Sequence, residues 1–148
     1  MSIEIRPIGE VAKEESRVCI WIYDSFWDAT LNLDKFSHLI ILWWISGRDN
    51  PESRQTLRVV PKGDEETVEE SGVFACRSPA RPNPIGHTVV ALRDIDEAAK
   101  RLVIDQIDAF HGTPVLDIKP YMPTSDRVDG AEVPIWFRSL LPRYTNSY

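Results

Sequence analysis

The sequence is poor in the residues that form disulfides and hold metals. Its two cysteines, Cys19 and Cys76, lie far apart in the chain, so we expect no disulfide framework and a reducing compartment. Its three histidines, His38, His87 and His111, stand singly and match no zinc-binding spacing. We therefore predict no metal site.

Long apolar runs are also missing. The longest, 39–45, has the length of a strand, whereas a membrane-spanning helix needs about 20 apolar residues. The N-terminal residues have neither the basic start nor the apolar stretch of a signal peptide. We expect a cytoplasmic protein that makes no membrane contact.

The charge is acidic, with 17 Lys and Arg against 23 Asp and Glu and a net charge of −6. Proteins that bind nucleic acids usually present a basic surface, so this balance argues against tight nonspecific binding to DNA or RNA. The distribution of charge matters as well as its sum. Acidic residues cluster in 63–71, whereas Arg77 and Arg81 stand close together in a separate loop.

Alternation of apolar and other residues predicts strands joined by short turns along most of the chain. The expected strands are 3–12, 16–26, 39–45, 55–60, 86–96 and 101–110. The continuous run 39–45 is typical of a strand buried on both sides. Helix is expected only as one turn near 34–36 and in 133–144, where Pro134 lies near a helix start.

These elements predict one domain spanning 1–148, because 148 residues suit a single core. The fold class is mainly β. The strands are expected to be mostly antiparallel and closed, or nearly closed, into a barrel of about six or seven strands with a short C-terminal helix.

One loop, CRSPARPNPIG at 76–86, is unusually rigid. Its prolines, Pro79, Pro82 and Pro84, each fix their own φ and push the preceding residue toward an extended conformation. The loop cannot pair as a central strand, so its backbone groups face something else. Preorganised groups beside two arginines and an asparagine make a good wall for a small ligand, because binding need not order the loop.

Two other interpretations of this loop stay open. A proline-rich turn whose arginines pair with local carboxylates is common and needs no ligand. Residues 79–82 also form a PxxP sequence of the kind that partner domains bind, although their place between two strands of one fold argues against that role.

A second polar segment, DAFHGTPVLDIKPYMPTSD at 108–126, begins at the end of the last predicted strand. Taken singly, its residues have ordinary explanations. Asp117 and Lys119 would share one face of a strand as a surface ion pair worth under about 1 kcal/mol. His111 before Gly112 fits a turn, and Tyr121 fits a packing role.

Together, FACRSPARPNPIGHTVVAL and DAFHGTPVLDIKPYMP closely resemble the two signature stretches of the TsaA/TrmO family, RSPxRPNPIG and DGTPVLDIKPY. FSHLIILWW (36–44) and PIGEV (7–11) are similar to the family's FSH-plus-apolar strand and its first strand. The resemblance covers most of residues 3–137, and its motifs are too long for a chance match.

This resemblance implies a methyltransferase that uses S-adenosylmethionine, folds as a single-sheeted β-barrel and acts as a homodimer. Characterised family members methylate the exocyclic nitrogen of threonylcarbamoyl-adenosine beside the anticodon of certain tRNAs. The sequence agrees in having no GxGxxG and no alternating βα pattern. Because Trp43 and Trp44 are adjacent on a strand, their indoles lie on opposite faces, and a small barrel does not bury both, which suits a dimer surface. A Trp44 covered by the C-terminal helix explains the pair equally well.

The resemblance also assigns site residues position by position. Those expected to bind the cofactor are Phe74, Arg77, Ser78, Arg81, Asn83, Pro84, Ile85, Gly86, Asp108, His111, Gly112, Thr113 and Asp117. Those expected to bind the RNA substrate are Arg77, Arg81, Lys119 and Tyr121. Those expected to act in catalysis, which consists largely of alignment and acceptance of a proton, are Asn83, Asp117 and Tyr121.

The expected roles differ by chemistry. The loop backbone would read the adenine edge, and Asp108 or Asp117 would take ribose hydroxyls or the ammonium of the cofactor. A guanidinium suits a carboxylate and a phosphate alike, so Arg77 and Arg81 stay unassigned between cofactor and RNA. Tyr121 would stack on the unstacked base. Cys76 is expected to be buried rather than reactive.

The sequence departs from the family pattern in two places. The GxxRQP-like stretch that usually follows the first strand is absent, and residues 109–111 read AFH where many relatives have a direct Asp-Gly pair. A dimer of two chains of −6 would carry −12 and repel a phosphate backbone outside a local basic patch. The alternative is a protein that binds S-adenosylmethionine but acts on a small molecule, or acts as a non-catalytic regulator.

Overall fold

The computed structural model describes residues 1–62, 68–138 and 140. In this part of the chain the strands are β1 (Gly9–Lys13), β2 (Val18–Ile22), β3 (His38–Trp44), β4 (Arg58–Val59), β5 (Ser71–Gly72), β6 (Ile85–Asp96), β7 (Arg101–Ile104) and β8 (Pro114–Pro120). The α-helices are α1 (Pro51–Arg54), α2 (Pro123–Asp126) and α3 (Ile135–Arg138). Short 3-10 helices span Asp24–Thr30, Leu33–Lys35, Ser46–Arg48 and Val73–Ala75.

The chain forms two compact units. The described residues of the first are Met1–Ser46 and Ile85–Met122, and those of the second fall within 47–84 and 123–144. Most of the acidic cluster, residues 63–67, lies outside the described residues, as do 139 and 141–144 of the predicted C-terminal helix. The prediction of one domain over 1–148 stays a prediction.

The first unit is a closed barrel with the strand order β1-β2-β7-β6-β3-β8, in which β8 pairs back to β1. Every pair in the barrel is antiparallel. The register shifts between Leu42 and Trp43 where β3 pairs with β8, and between Leu92 and Asp94 where β6 pairs with β7. Such irregularities bend the strands and increase their twist, which closure of a small barrel requires. The predicted fold class is confirmed.

The barrel interior is filled by one face of each strand, because strand side chains alternate with a period of two. Buried aliphatic residues from the barrel strands include Val11, Ile20, Ile41, Val90 and Leu102, and all are at most 1% exposed. Fully burying one such side chain contributes roughly 1.5–3 kcal/mol relative to leaving it exposed.

Strand β3 corrects one expectation. Its residues Leu39 and Ile41 are fully buried, whereas Ile40 and Leu42 are only half-buried. The apolar run 39–45 is therefore buried completely on the inner face alone. The barrel is a single sheet, so each strand turns one face to the interior and the other face outward.

Several predicted strands are too long. Strand β1 begins at Gly9, and Ile3 and Ile5, which continue the alternating pattern, are exposed. Strand β7 ends at Ile104, where the carboxylate of Asp105 accepts a hydrogen bond from the backbone N–H of Ala91 at 2.9 Å. Alternation of apolar residues predicted the longer strands. A strand extends only as far as its backbone groups pair with a neighbouring strand, and alternation does not report that pairing.

The second unit holds the two-stranded ribbon β4–β5 and helix α1. Asn50 caps α1 by accepting a hydrogen bond from the Ser53 backbone N–H at 2.8 Å, and Pro51 occupies the first turn. Both features favour a helix start. The described helices include none long and apolar enough to cross a membrane.

Candidate functional site

The first motif crosses the boundary between the two units. Residues 76–84 belong to the second unit, whereas Ile85 and Gly86 begin strand β6 of the barrel. The second motif, from Asp108 to Tyr121, belongs to the barrel. Each unit therefore carries its own group of predicted site residues.

Gly86 lies under an aromatic side chain. It is buried and pairs with Trp43 on the neighbouring strand β3. A Cβ built on Gly86 would lie 2.3 Å from Cε2 of the Trp43 indole, well inside the closest approach of two carbon atoms. The motif requires glycine here because the Trp43 indole occupies the space that a side chain would need.

The same indole begins a short chain of hydrogen bonds. Nε1 of Trp43 donates to Oγ1 of Thr88 at 3.1 Å, and the Thr88 hydroxyl donates to Oδ1 of Asp108 at 3.0 Å. Asp108 is exposed, and the described residues offer this carboxylate no other hydrogen-bond partner. Thr88 thus orients a predicted cofactor-binding carboxylate.

The turn after Asp108 is tied to strand β1. The Lys13 backbone N–H donates to Nδ1 of His111 at 3.0 Å, and the Gly112 N–H donates to the Val11 carbonyl at 2.8 Å. Gly112 has φ +83°, a left-handed conformation that favours glycine. His111 uses Nδ1 as an acceptor, so it supports the turn, as the simplest interpretation of its sequence position predicts.

The turn exposes an aromatic residue. The Thr113 N–H donates to the carbonyl of Phe110 at 3.1 Å, which closes the turn, and the Phe110 side chain is 85% exposed. Phe110 was not among the predicted site residues.

Strand β8 carries a surface ion pair. Nζ of Lys119 lies 3.0 Å from Oδ2 of Asp117, and the two side chains are 62% and 47% exposed. Such a pair contributes about 0–1 kcal/mol, as its ordinary explanation predicts. Half-buried Tyr121 follows, and its backbone N–H donates to the His38 carbonyl at 3.0 Å.

In the second unit, Arg81 holds the proline-rich loop together. Its Nη1 donates to the carbonyls of Ser78 at 2.9 Å and Cys76 at 3.2 Å, and its Nη2 donates to the carbonyl of Val73 at 2.9 Å. Three backbone carbonyls are thus satisfied by one guanidinium. Only the planar fork of arginine supplies so many fixed donors.

Arg77 differs from Arg81 in its surroundings. It is exposed and makes no hydrogen bond or ion pair with the described residues. Within this part of the chain, Arg81 is engaged by the loop and Arg77 is available to an anion. The sequence left these two arginines unassigned, and their contacts separate them.

Arg54, which lies on α1, was not among the predicted site residues. Its Nε donates to the Pro82 carbonyl at 2.9 Å, and its Nη2 donates to Oδ1 of Asn83 at 3.1 Å. Its Nη1 pairs with Oδ1 of Asp49 at 3.0 Å. Asn83 lies 29 positions from Arg54, and no local sequence pattern connects residues so far apart.

The remaining predicted residues in and beside the loop range from buried to exposed. Pro84 is fully buried and Ser78 half-buried, whereas Ile85 is 39% and Phe74 85% exposed. Cys76 is only half-buried, contrary to expectation, because the loop runs on the surface of its unit. No group of three or more His, Cys, Asp or Glu among residues 1–62, 68–138 and 140 is arranged to hold a metal ion.

The chain matches the model of a known protein family. The model of the tRNA-methyltransferase O N-terminal domain matches residues 4–127. A probable S-adenosyl-L-methionine-binding protein from Archaeoglobus fulgidus is 42% identical over 135 residues, which are 91% of this chain and 34% of that protein. A tRNA (adenine(37)-N6)-methyltransferase from Rattus norvegicus is 35% identical over 122 residues, which are 80% of this chain and 27% of that protein.

A solved structure is similar as well. The crystal structure of TrmO from P. aeruginosa superposes with a TM-score of 0.68 and 31% identity, covering 91% of this chain and 62% of that one. The chain thus spans about a third or less of the two curated relatives and less than two thirds of the solved chain.

Proposed function

Because the chain belongs to the tRNA-methyltransferase O family, we propose that it is an S-adenosylmethionine-dependent methyltransferase that acts on adenosine in tRNA. The observation that carries this proposal is the family match over residues 4–127, which includes both motifs complete. The finer proposal is that the methyl acceptor is the exocyclic nitrogen of threonylcarbamoyl-adenosine beside the anticodon.

The residues present fit the cofactor. Its ammonium and ribose hydroxyls call for carboxylates, and Asp108 is exposed and oriented by Thr88. Its carboxylate calls for a cation, and Arg77 is exposed without a partner among the described residues. When bound, S-adenosylmethionine supplies a methyl group that its sulfonium readily releases. Metal ions have no part in the proposal.

The protein's own contribution is alignment. Holding two reactants in a productive geometry lowers a barrier by as much as about 7–11 kcal/mol, provided that the groups are fixed beforehand. Three prolines, the Arg81 hydrogen bonds to three carbonyls and the Arg54 clamp all fix the first motif before a ligand binds. A rigid loop costs little further ordering on binding.

Three side chains are proposed to act at the reacting groups. Asp117, half-exposed beside Lys119, accepts the proton that the methylated nitrogen releases. Tyr121 stacks on the acceptor base, an interaction worth about 1–3 kcal/mol for an aromatic side chain. Asn83 aligns the ligand through its amide. We propose no covalent nucleophile.

The proposal extends to the RNA contacts, the oligomeric state and the cellular location. Arg77, Arg81 and Lys119 were predicted to contact RNA, and of these Arg77 alone lacks a partner among the described residues. We therefore propose Arg77 as the main phosphate or carboxylate contact. The chain is proposed to act as a homodimer in the cytoplasm.

Transfer of labelled methyl from S-adenosylmethionine to tRNA tests the activity. Two tRNA preparations that differ only in the threonylcarbamoyl group are compared, with Asn83→Ala and Asp117→Ala as variants. Label in the modified tRNA alone supports the finer proposal. Label in both leaves the methyltransferase but removes that acceptor. Label in neither, from protein that binds the cofactor, overturns the RNA activity.

One observation favours a second candidate, a cofactor-binding protein without RNA methylation. Two of the three predicted RNA-binding cations are engaged, Arg81 by loop carbonyls and Lys119 by Asp117, on a chain of net charge −6. Affinity for tRNA that falls steeply with salt supports the enzyme, because phosphate contacts release counterions. Cofactor binding without any affinity for tRNA supports the second candidate.

A further inference from the structure

Asn83, the one amide side chain of the first motif, accepts a hydrogen bond from Arg54. Nη2 of Arg54 lies 3.1 Å from the Asn83 side-chain oxygen, and Nε of Arg54 lies 2.9 Å from the carbonyl of Pro82. One guanidinium thus grips two successive residues of the loop. Asn83 is an exposed residue.

This contact identifies the amide atom that faces Arg54. A guanidinium has donors and no acceptor, so the atom of Asn83 that meets Arg54 has to be Oδ1. The opposite end of the amide is then the Nδ2 group with its two N–H donors. Asparagine in general offers both an acceptor and donors, whereas Asn83 in this position presents mainly donors.

Arg54 is itself fixed from two directions. Asp49 pairs with its Nη1 at 3.0 Å, with the two side chains 45% and 38% exposed. The backbone of α1 is set by the Asn50 cap and by Pro51 at the first turn. The guanidinium therefore reaches the loop from an anchored helix, which limits the orientations that Asn83 can adopt.

We propose that Arg54 is a positioning residue, and that it makes Asn83 a hydrogen-bond donor toward the ligand. The inference rests on the proposed function, since it takes S-adenosylmethionine as that ligand. It also narrows the chemistry of the contact. The ligand atom that meets Asn83 is an acceptor, either a carboxylate oxygen or a ring nitrogen of adenine, and Asn83 does not take up the proton released by methylation.

Calorimetric titration with S-adenosylmethionine tests the pairing through a double-mutant cycle. Arg54→Met and Asn83→Ala each weaken binding by about tenfold, the effect of losing one well-placed hydrogen bond. The double variant binds no more weakly than Asn83→Ala alone, because Arg54 acts through Asn83. Arg58→Met removes an exposed arginine paired with Glu70 at 3.3 Å and serves as the matched control, with wild-type affinity.

A second variant tests the direction of the hydrogen bond. In Asn83→Asp the carboxylate keeps its pairing with Arg54 but presents an oxygen to the ligand, so binding falls at least as far as in Asn83→Ala. Wild-type affinity in Asn83→Asp overturns the donor assignment. If the losses of binding free energy in Arg54→Met and Asn83→Ala add fully in the double variant, the positioning role is overturned. Arg54 would then act through its hydrogen bond to the Pro82 carbonyl and not through Asn83.

A readout without ligand separates this inference from the proposed function. In proton–nitrogen NMR spectra of the free protein, the side-chain NH2 pair of Asn83 shifts on Arg54→Met, and Arg54→Lys shifts it in part. An unchanged NH2 pair overturns the positioning role even if the cofactor binds. Absence of cofactor binding by the wild type, with the shift observed, overturns the proposed function and the ligand assigned to Asn83, while the Arg54–Asn83 contact stands.

Discussion

The Trp43 indole lies directly over the α-carbon of Gly86, its partner on the neighbouring barrel strand. Three atoms of the indole would lie 2.3–2.6 Å from a Cβ at this position. The ring is not a loose surface group, since its Nε1 also donates to Thr88. The Trp43 side chain therefore both packs against the barrel strand and supports Thr88, which orients Asp108 of the second motif.

We expect Gly86→Ala to destabilise the protein by about 1–3 kcal/mol, the usual cost of forcing an extra carbon into a packed site. The indole has to move, and its hydrogen bond to Thr88 is lost. Gly47→Ala is the control, because a Cβ there meets nothing within 4 Å. Urea unfolding measures both, and equal stabilities for the two variants would contradict the packing account.

We expect Thr88→Val to weaken cofactor binding as well as stability. The substitution keeps the shape of the side chain, but leaves Asp108 without the hydroxyl that orients it. Stability should fall by about 1–3 kcal/mol, because the hydroxyl loses its hydrogen bonds with both Trp43 and Asp108. Thr30→Val, whose hydroxyl donates to the Trp27 carbonyl, is the control. It should lower stability without changing the affinity, measured by calorimetry.

Arg81 and Arg77 should separate in a comparison of stability with binding. Arg81→Lys cannot satisfy three carbonyls and should lower stability by about 1–3 kcal/mol, with faster proteolysis of loop 76–84. Arg77→Ala should stay within about 0.5 kcal/mol of the wild type, because Arg77 makes no hydrogen bond or ion pair with the described residues. Its loss should appear in affinity for the anionic ligand. A stable Arg81→Lys, resistant to protease, would be the contrary result.

Stability should depend on pH through Asp96, at the end of β6. The Ala99 backbone N–H and then Arg17, both hydrogen-bonded to this carboxylate at 3.0 Å, hold the pKa of Asp96 below its usual value. A depressed pKa stabilises the fold above the unfolded-state pKa of about 3.9, and this stabilisation is lost as the pH falls through the folded-state pKa.

Asp96→Asn should therefore flatten the dependence of unfolding free energy on pH below about pH 4. Arg17→Ala should flatten it in part, since the Ala99 N–H remains. Urea unfolding between about pH 2 and pH 6 supplies the curves. If Asp96→Asn kept the full slope of the wild type, the carboxylate would not be the group responsible.

The barrel could be predicted from sequence because its signal is local. Alternation with a period of two places Ile20, Ile41 and Leu102 on one face, and burial in a closed sheet selects that face. Strand ends could not be predicted in this way. Ile3 and Ile5 alternate as strand residues do, yet pairing with β2 starts only at Gly9.

The candidate site was predictable only to the extent that its residues lie within two contiguous motifs. The stiffness of loop 76–86 follows from its prolines, and the turn at His111 and the ion pair of Asp117 with Lys119 agree with the local interpretations of those residues, while their predicted site roles stay predictions. Arg54 and Thr88 were not. Each contacts a motif residue 29 or 20 positions away, and no local pattern reports such a contact.

Mass spectrometry of tRNA nucleosides tests the central claim most directly. The wild-type chain is incubated with S-adenosylmethionine and tRNA carrying threonylcarbamoyl-adenosine, and the tRNA is then digested. We expect that nucleoside to become heavier by one methylene, and to be converted more slowly with Asn83→Ala at a cofactor concentration that does not saturate the variant. Unmodified nucleoside after incubation with wild-type protein that binds both cofactor and tRNA would contradict the account.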